Sequence, residues 1–276
     1  KSTVSTITQS FSSGSSIFGD SNDDTHRFTG SLEITGSSIA LGDGNNNVVL
    51  GNNVTSDVRN SLYSTYIGYN AAGGNEGTGI GGQSITVVGW GAGQRMQQNP
   101  HRTTLVGALA GAYLNVGLDN TFVGSDAGFS LTAADRNVFV GSSAGYQTVD
   151  VDNAVIIGYQ AGYSNMTSAA DGTIAIGHQA GYAITSGASN TIIGYDAGKA
   201  LTTTSNNVII GRDAGNDTVG NNAVIIGSHA GDDNSPSNAV IIGYRAGRLI
   251  NGENATAIGY DALKAATEPD NTAVML

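Results

Sequence analysis

The chain contains no cysteine, three prolines, eleven Lys and Arg, and no long apolar run. Without cysteine there are no disulfides, no thiolate metal site and no Cys nucleophile. With 22 Asp and Glu the net charge is −11. An acidic surface without a basic run repels nucleic acid phosphates and anionic membranes. No signal peptide and no apolar run near 18 residues is visible, so membrane insertion is not expected. The 41 glycines follow no collagen period. A Gly-rich chain is either disordered or built from repeated tight turns. With 39% apolar and only 12% charged residues, the folded alternative is favoured.

A repeated phrase dominates: two or three apolar residues, Gly, two variable residues, Ala-Gly. FVGSDAG (122–128), IIGYQAG (156–162), IIGYDAG (192–198) and IIGYRAG (241–247) are examples. From Gly107 onward the leading glycines are 16 or 17 residues apart, with one gap of 19. That period is too short for helical repeats or propeller blades. It predicts an all-β fold: a parallel β-solenoid, or β-roll, with coils of about 16–17 residues and two short strands per coil. Three regions are expected: a junction over 1–37, irregular coils with an insertion over 38–106, and regular coils over 107–276. The last residues, 271–276, match the start of another strand without its turn. With a first residue of Lys1, the chain reads as a fragment or processed product.

Side chains alternate along a strand, so the three apolar residues of each phrase divide between two faces. The expected arrangement puts the Val, Ile or Leu before each Gly inside with the recurrent Ala. The row Phe122, Phe139, Ile156, Ile192, Ile209, Ile225 and Ile241 then points outward. Such a stripe exceeds what a soluble monomer exposes. Burying it between copies is worth roughly tens of kcal/mol before entropy is subtracted. Obligate self-association is therefore expected, and a closed ring of three parallel copies suits a rod better than a two-fold dimer; the alternative is a monomeric solenoid with a wider interior. Asn120, Asn137, Asn153, Asn190, Asn207, Asn222, Asn238 and Asn254 open strands and are expected to stack as hydrogen-bonded ladders.

Two aromatic rows recur. Phe129, Tyr146, Tyr163 and Tyr182 follow the second Gly. Tyr69, Trp90, Tyr159, Tyr195, Tyr244 and Tyr260 follow the first. Packing ladders explain both; a glycan- or surface-binding strip is the functional alternative. It makes Trp90, Tyr69, Tyr159, Tyr195 and Tyr244 the candidate ligand-binding residues, Trp90 foremost.

Catalysis finds no support. No His lies in an HExxH or HxH pattern, and His178 and His229 fall on variable positions that suit exposed decoration. Asp126, Asp196 and Asp213 share one phrase position, as solvated turn residues do, so they do not make a glycosidase pair. No catalytic residue and no cofactor is expected. His26, in DDTHRF, is a weak candidate metal ligand at a three-fold axis. An ice-binding solenoid would need a regular Thr array on one face, and Thr reads as scattered.

The phrase N-T/A-x-I-I-G-Y-x-A-G resembles repeats of tail-fibre proteins of tailed phages and, more loosely, the heads of trimeric autotransporter adhesins. FGDSNDDTHRFTGSLEITGS (18–37) is similar to the D-D-x-H-x-F-T-G-S-L-x-I-T-G segment of marine phage tail fibres. The resemblance implies an extracellular homotrimer: a structural shaft or adhesion segment of a virion tail fibre. Its partners would be other fibre proteins and a host surface glycan or protein. Some such fibres carry a self-cleaving C-terminal chaperone. The alternative is a trimeric adhesin head on a bacterial cell surface.

Overall fold

The structure is a computed structural model and describes residues 47–51, 54, 61–73, 82–96, 100–217, 219–233, 237–248, 250, 253–263 and 272–274. All belong to one compact unit, Leu41–Leu276. The expected junction over 1–37, and His26 within it, lie outside the described residues.

The fold is an all-β solenoid. Among the described residues fourteen strands stack in sequence order into one sheet, and every pairing between them is parallel. They run from β1 (Val48–Leu50) through β5 (Thr121–Val123), β6 (Val138–Val140), β7 (Val155–Ile157), β8 (Ile174–Ile176), β9 (Thr191–Ile193) and β10 (Val208–Ile210). The series ends at β11 (Val224–Ile226), β12 (Val240–Ile242), β13 (Thr256–Ile258) and β14 (Thr272–Val274). β2 (Thr65–Ile67), β3 (Thr86–Val88) and β4 (Thr104–Val106) complete the set. Each strand has three residues, in register with the next: Val155 faces Ile174, Ile156 faces Ala175, Ile157 faces Ile176. Thirteen steps of about 4.8 Å give a stack ~60 Å long. The segment 272–274 pairs with β13 as another coil.

The expected two strands per coil become one. Outside the sheet, three isolated bridges are present among the described residues, Leu62 with Gln83, His101 with Leu118 and Val116 with Ala133. Among the described residues the remaining circumference is turns and bends with a 3-10 helix at Ser168–Ala170, joined coil to coil by backbone bonds such as Gly145 N–H to Ala161 O (3.0 Å) and Gly162 N–H to Ala180 O (3.0 Å).

The leading glycine ends each strand. Gly158 has φ +135°, and a Cβ there would lie 2.2 Å from the carbonyl oxygen of Gly177 in the next coil. Both the backbone angle and the approach exclude a side chain. The same near-contact recurs from Gly51 to Gly243, so the coils sit backbone on backbone along this line.

The interior is arranged opposite to the expectation. Phe122, Phe139, Ile156, Ile192, Ile209, Ile225 and Ile241 point into the coil of a single chain and are fully buried. The flanking residues, including the Val or Ile before each Gly, point outward and are half-buried. The cause lies in the Ala-Gly pair. A Cβ on Gly145 would stand 2.4 Å from the Phe139 ring, and one on Gly128 3.0 Å from Phe122. The small pair makes room for the large middle residue of the strand. Phe122 and Phe139 stack at 4.9 Å. A second buried row, including Leu114, Leu131, Met166, Ile184 and Leu201, closes the interior.

The outer sheet face therefore carries two rows of side chains, not one, of which the second is apolar throughout and the first mixes Thr with Val and Ile. Its first row holds Thr65, Thr86, Thr104 and Thr121 in consecutive coils, so Thr is ordered there, then gives way mainly to Val and Ile. Asn divides as well. Asn120, Asn137, Asn190 and Asn207 are buried, whereas Asn153, Asn222, Asn238 and Asn254 stand one residue earlier, exposed, with φ of 58–60°. In the buried set, Asn137 donates from Nδ2 to Val151 O (2.7 Å) and its Oδ1 accepts from Ala154 N–H (2.8 Å). Each buried amide thus satisfies backbone groups of the next coil.

At another corner, acceptor side chains continue the ladder. Leu118 N–H donates to Asp135 (2.8 Å), Asp135 N–H to Asp152 (2.7 Å) and Asp152 N–H to Asp171 (2.9 Å). Further on, Ser205, Asn221 and Ser237 accept in the same way.

Gly158→Ala is expected to destabilise its coils by about 3–5 kcal/mol, from the forbidden angle and the carbonyl clash together. Gly172→Ala, where the nearest atom would be 3.8 Å away at φ +72°, should cost only about 1 kcal/mol. Hydrogen exchange read coil by coil would check both; equal protection in the two variants would contradict the stacking constraint.

Candidate functional site

Two aromatic rows lie on the turns beside the sheet. The row after the second Gly is half-buried. Phe129 and Tyr146 stack at 5.0 Å, Tyr146 and Tyr163 at 5.2 Å, Tyr163 and Tyr182 at 5.0 Å. Tyr113 meets Phe129 edge-on, and the Arg95 guanidinium covers Tyr113 at 4.3 Å. Ring upon ring at the coil spacing is the packing ladder expected from sequence. Burial first, then the neighbouring Tyr182 and Tyr146, push the Tyr163 phenol above its ordinary range.

The row after the first Gly is the exposed one. Tyr69, Trp90, Tyr159, Tyr195 and Tyr244 show between 43% and 55% of their surface, and Tyr260 shows 68%. Backbone bonds fix this row from coil to coil: Gln179 N–H donates to Tyr159 O (2.9 Å) and Asp196 N–H to His178 O (2.9 Å). Tyr159, His178 and Tyr195 form one continuous stack, with centroids at 5.4 and 4.6 Å. Tyr244 stacks on Tyr260 at 5.5 Å. The five predicted ligand-binding residues thus share a row, but in separate groups rather than a single strip.

His178 is more than a decoration. Its Nδ1 lies 3.1 Å from Asp196 Oδ1, and Lys199 Nζ lies 2.9 Å from the other oxygen of that carboxylate. His229 is also engaged: Nδ1 to Asp232 at 3.3 Å, Nε2 to the Arg212 guanidinium at 2.8 Å. Burial raises the Asp232 carboxyl above its usual value, partly offset by His229. Sequence reasoning missed both arrangements. The signal available was that His178 occupies the register position of Tyr159 and Tyr195.

Asp126, Asp196 and Asp213 stand at equivalent positions with φ of 51–56°, as turn residues. Among the described residues no group of three or more His, Asp or Glu could hold a metal ion, and no helix is long and apolar enough to cross a membrane. No family model, curated protein or solved structure matches this chain.

The raised Tyr163 phenol gives a stability effect of defined sign. Its neutral form belongs to the fold, so the unfolded chain loses the proton first. Stability from this group is intact below the ordinary value of about 10 and is lost as pH rises from there through the raised value. Tyr163→Phe should therefore melt less steeply with pH than the parent between about pH 9 and 12, followed by circular dichroism. Identical slopes would show that the stack does not discriminate against the phenolate.

Proposed function

We propose that the chain is a structural shaft or adhesion segment of a virion tail fibre, working as three parallel copies that present contacts to a host surface. The outer face of the sheet carries this reading. Over ~60 Å it offers two in-register rows, such as Val208 and Ile210, Val224 and Ile226, Val240 and Ile242, without a charged residue in β1–β13. A strip ~60 Å by ~10 Å gives each copy about 600 Å² to bury against its neighbours, on the scale of the ~800 Å² per partner of a standard pairwise interface though below it. β-branched rows at constant spacing suit packing against their own kind. Parallel copies around an axis along the stack keep every row in step, and three close the ring with each sheet turned inward. The surface that demands sister copies is thus the pair of flanking rows, not the Phe122–Ile241 row.

The tail-fibre setting rests on the likeness of the repeat phrase and of residues 18–37. A trimeric head of a cellular surface adhesin is the second reading, resting on the same repeat. A membrane β-barrel encoded downstream in the gene would favour it.

Light scattering should give a particle of three times the 27.9 kDa chain mass. A single-chain mass would overturn the assembly. Val224→Lys with Ile226→Lys should dissociate the particle while the β-sheet signal persists. Trimers that survive this pair would remove the sheet face from the interface.

A further inference from the structure

We propose that the gap in the exposed row between Trp90 and Tyr159 is a binding notch for a neutral oligosaccharide, an inference that rests on the adhesion reading above. In a coil-to-coil stack each ring turns its faces along the solenoid and shows solvent an edge. Tyr159 has one face against His178, and His178 in turn lies against Tyr195. A sugar ring packs on an aromatic face, so the edges of a closed stack are poor platforms. The other face of Tyr159 looks toward the coil of Ser142, where no ring follows.

The same register position is held by Ser142, Ser125 and Ala108 in the next three coils, all exposed, and then by Trp90. Backbone bonds establish that alignment: Gln160 N–H to Ser142 O (3.0 Å), Ser143 N–H to Ser125 O (2.8 Å), Asp126 N–H to Ala108 O (2.9 Å) and Leu109 N–H to Trp90 O (2.8 Å). Four coil steps separate the two aromatic ends by ~19 Å. The gap therefore leaves room for a sugar ring set face-on against the open face of Tyr159, with the rest of the glycan over the small residues beyond it.

The floor supplies polar groups without bulk. Ser125 and Ser142 offer hydroxyls, and Ser125 Oγ donates to the Asp126 carboxylate at 2.9 Å. That carboxylate, on a chain of net charge −11, accepts from sugar hydroxyls and repels acidic sugars. An apolar body with a few placed polar groups is the usual make-up of a ligand site; here it selects an uncharged glycan.

Trp90 is the only tryptophan in the chain, so its fluorescence reports on the notch. The intact chain would be titrated with chitotetraose, cellotetraose, maltotetraose and, as an anionic comparison, tetragalacturonate. The expected result is a saturable change with at least one neutral probe, at about millimolar Kd or tighter, and none with tetragalacturonate. Tyr159→Ala should weaken binding roughly tenfold. Ser142→Tyr, which places in the gap the residue that the row carries at 159 and 195, should abolish binding while the coil signal persists. Silence toward all three neutral probes at ~10 mM, or binding undiminished in Ser142→Tyr, would overturn the notch. Particle mass on the same samples separates the two readings: a sugar-silent trimer removes the notch alone, and a sugar-binding single chain removes the shaft while keeping the notch.

Discussion

The approach of one glycine to the carbonyl of the next, coil after coil, is the constraint from which the rest of the architecture follows. A Cβ at Gly124, Gly141 or Gly158 would stand 2.2–2.5 Å from the neighbouring glycine oxygen, closer than any side chain tolerates. The backbone itself is therefore the spacer. With coils held at the separation of paired strands, each side chain lies over its counterpart one coil away. Like stacks on like: ring on ring, amide on amide, β-branched residue on β-branched residue. A repeat in sequence becomes a set of straight rows in space, each row having its own chemistry.

Much of this was legible in the residues. The spacing of the glycines gives the coil, the apolar triplet gives the strand, and the recurrence of Tyr after Ala-Gly gives the half-buried stack. The inside and outside of the strand were not legible from alternation. A triplet such as Val-Ile-Ile, apolar throughout, divides into one residue against two, and period two alone does not say which set is inside. The deciding information sits further along the phrase. Ala-Gly is small because a large residue already occupies that space, as the proximity of Gly145 to the Phe139 ring shows. Leu114, Leu131 and Ile184, also buried, each stand seven residues after a leading Gly, a recurrence just beyond the end of the phrase and masked by the changing residues around it. The two strands expected per coil fail even where coils keep one length, as from Gly107 to Gly158: turns bonded one to another replace a second regular strand.

The asparagines show how rows one residue apart differ in kind. Asn153 and Asn238 adopt a left-handed backbone at the surface, which their short polar side chains tolerate. Asn137 and Asn207 are one place nearer the strand, inside, and there the amide works as a backbone surrogate. Where an inner Ala follows a coil with a buried Asn, as Ala154 and Ala223 do, the Asn one coil earlier, Asn137 or Asn207, accepts from the Ala N–H. Buried amides and alanines are thus complementary members of one ladder, and the eight asparagines that look alike in sequence are two populations.

The same logic gives part of the acidity a structural meaning. Net charge −11 reads at first as a field for steering or repelling partners. Yet Asp135, Asp152 and Asp171 each accept an N–H from the coil before, at a corner where that N–H has no carbonyl to meet. A carboxylate is an acceptor without a competing donor, so it fits such a corner without ambiguity. Further along, Ser205, Asn221 and Ser237 take over the role uncharged, which shows that the corner requires an oxygen rather than a charge. Arg136 lies against Asp135 and Asp152 and relieves part of the repulsion between stacked carboxylates. Acidity along this line belongs to the construction of the coil; the charge free to choose a ligand is on the turns, beside the gap in the aromatic row.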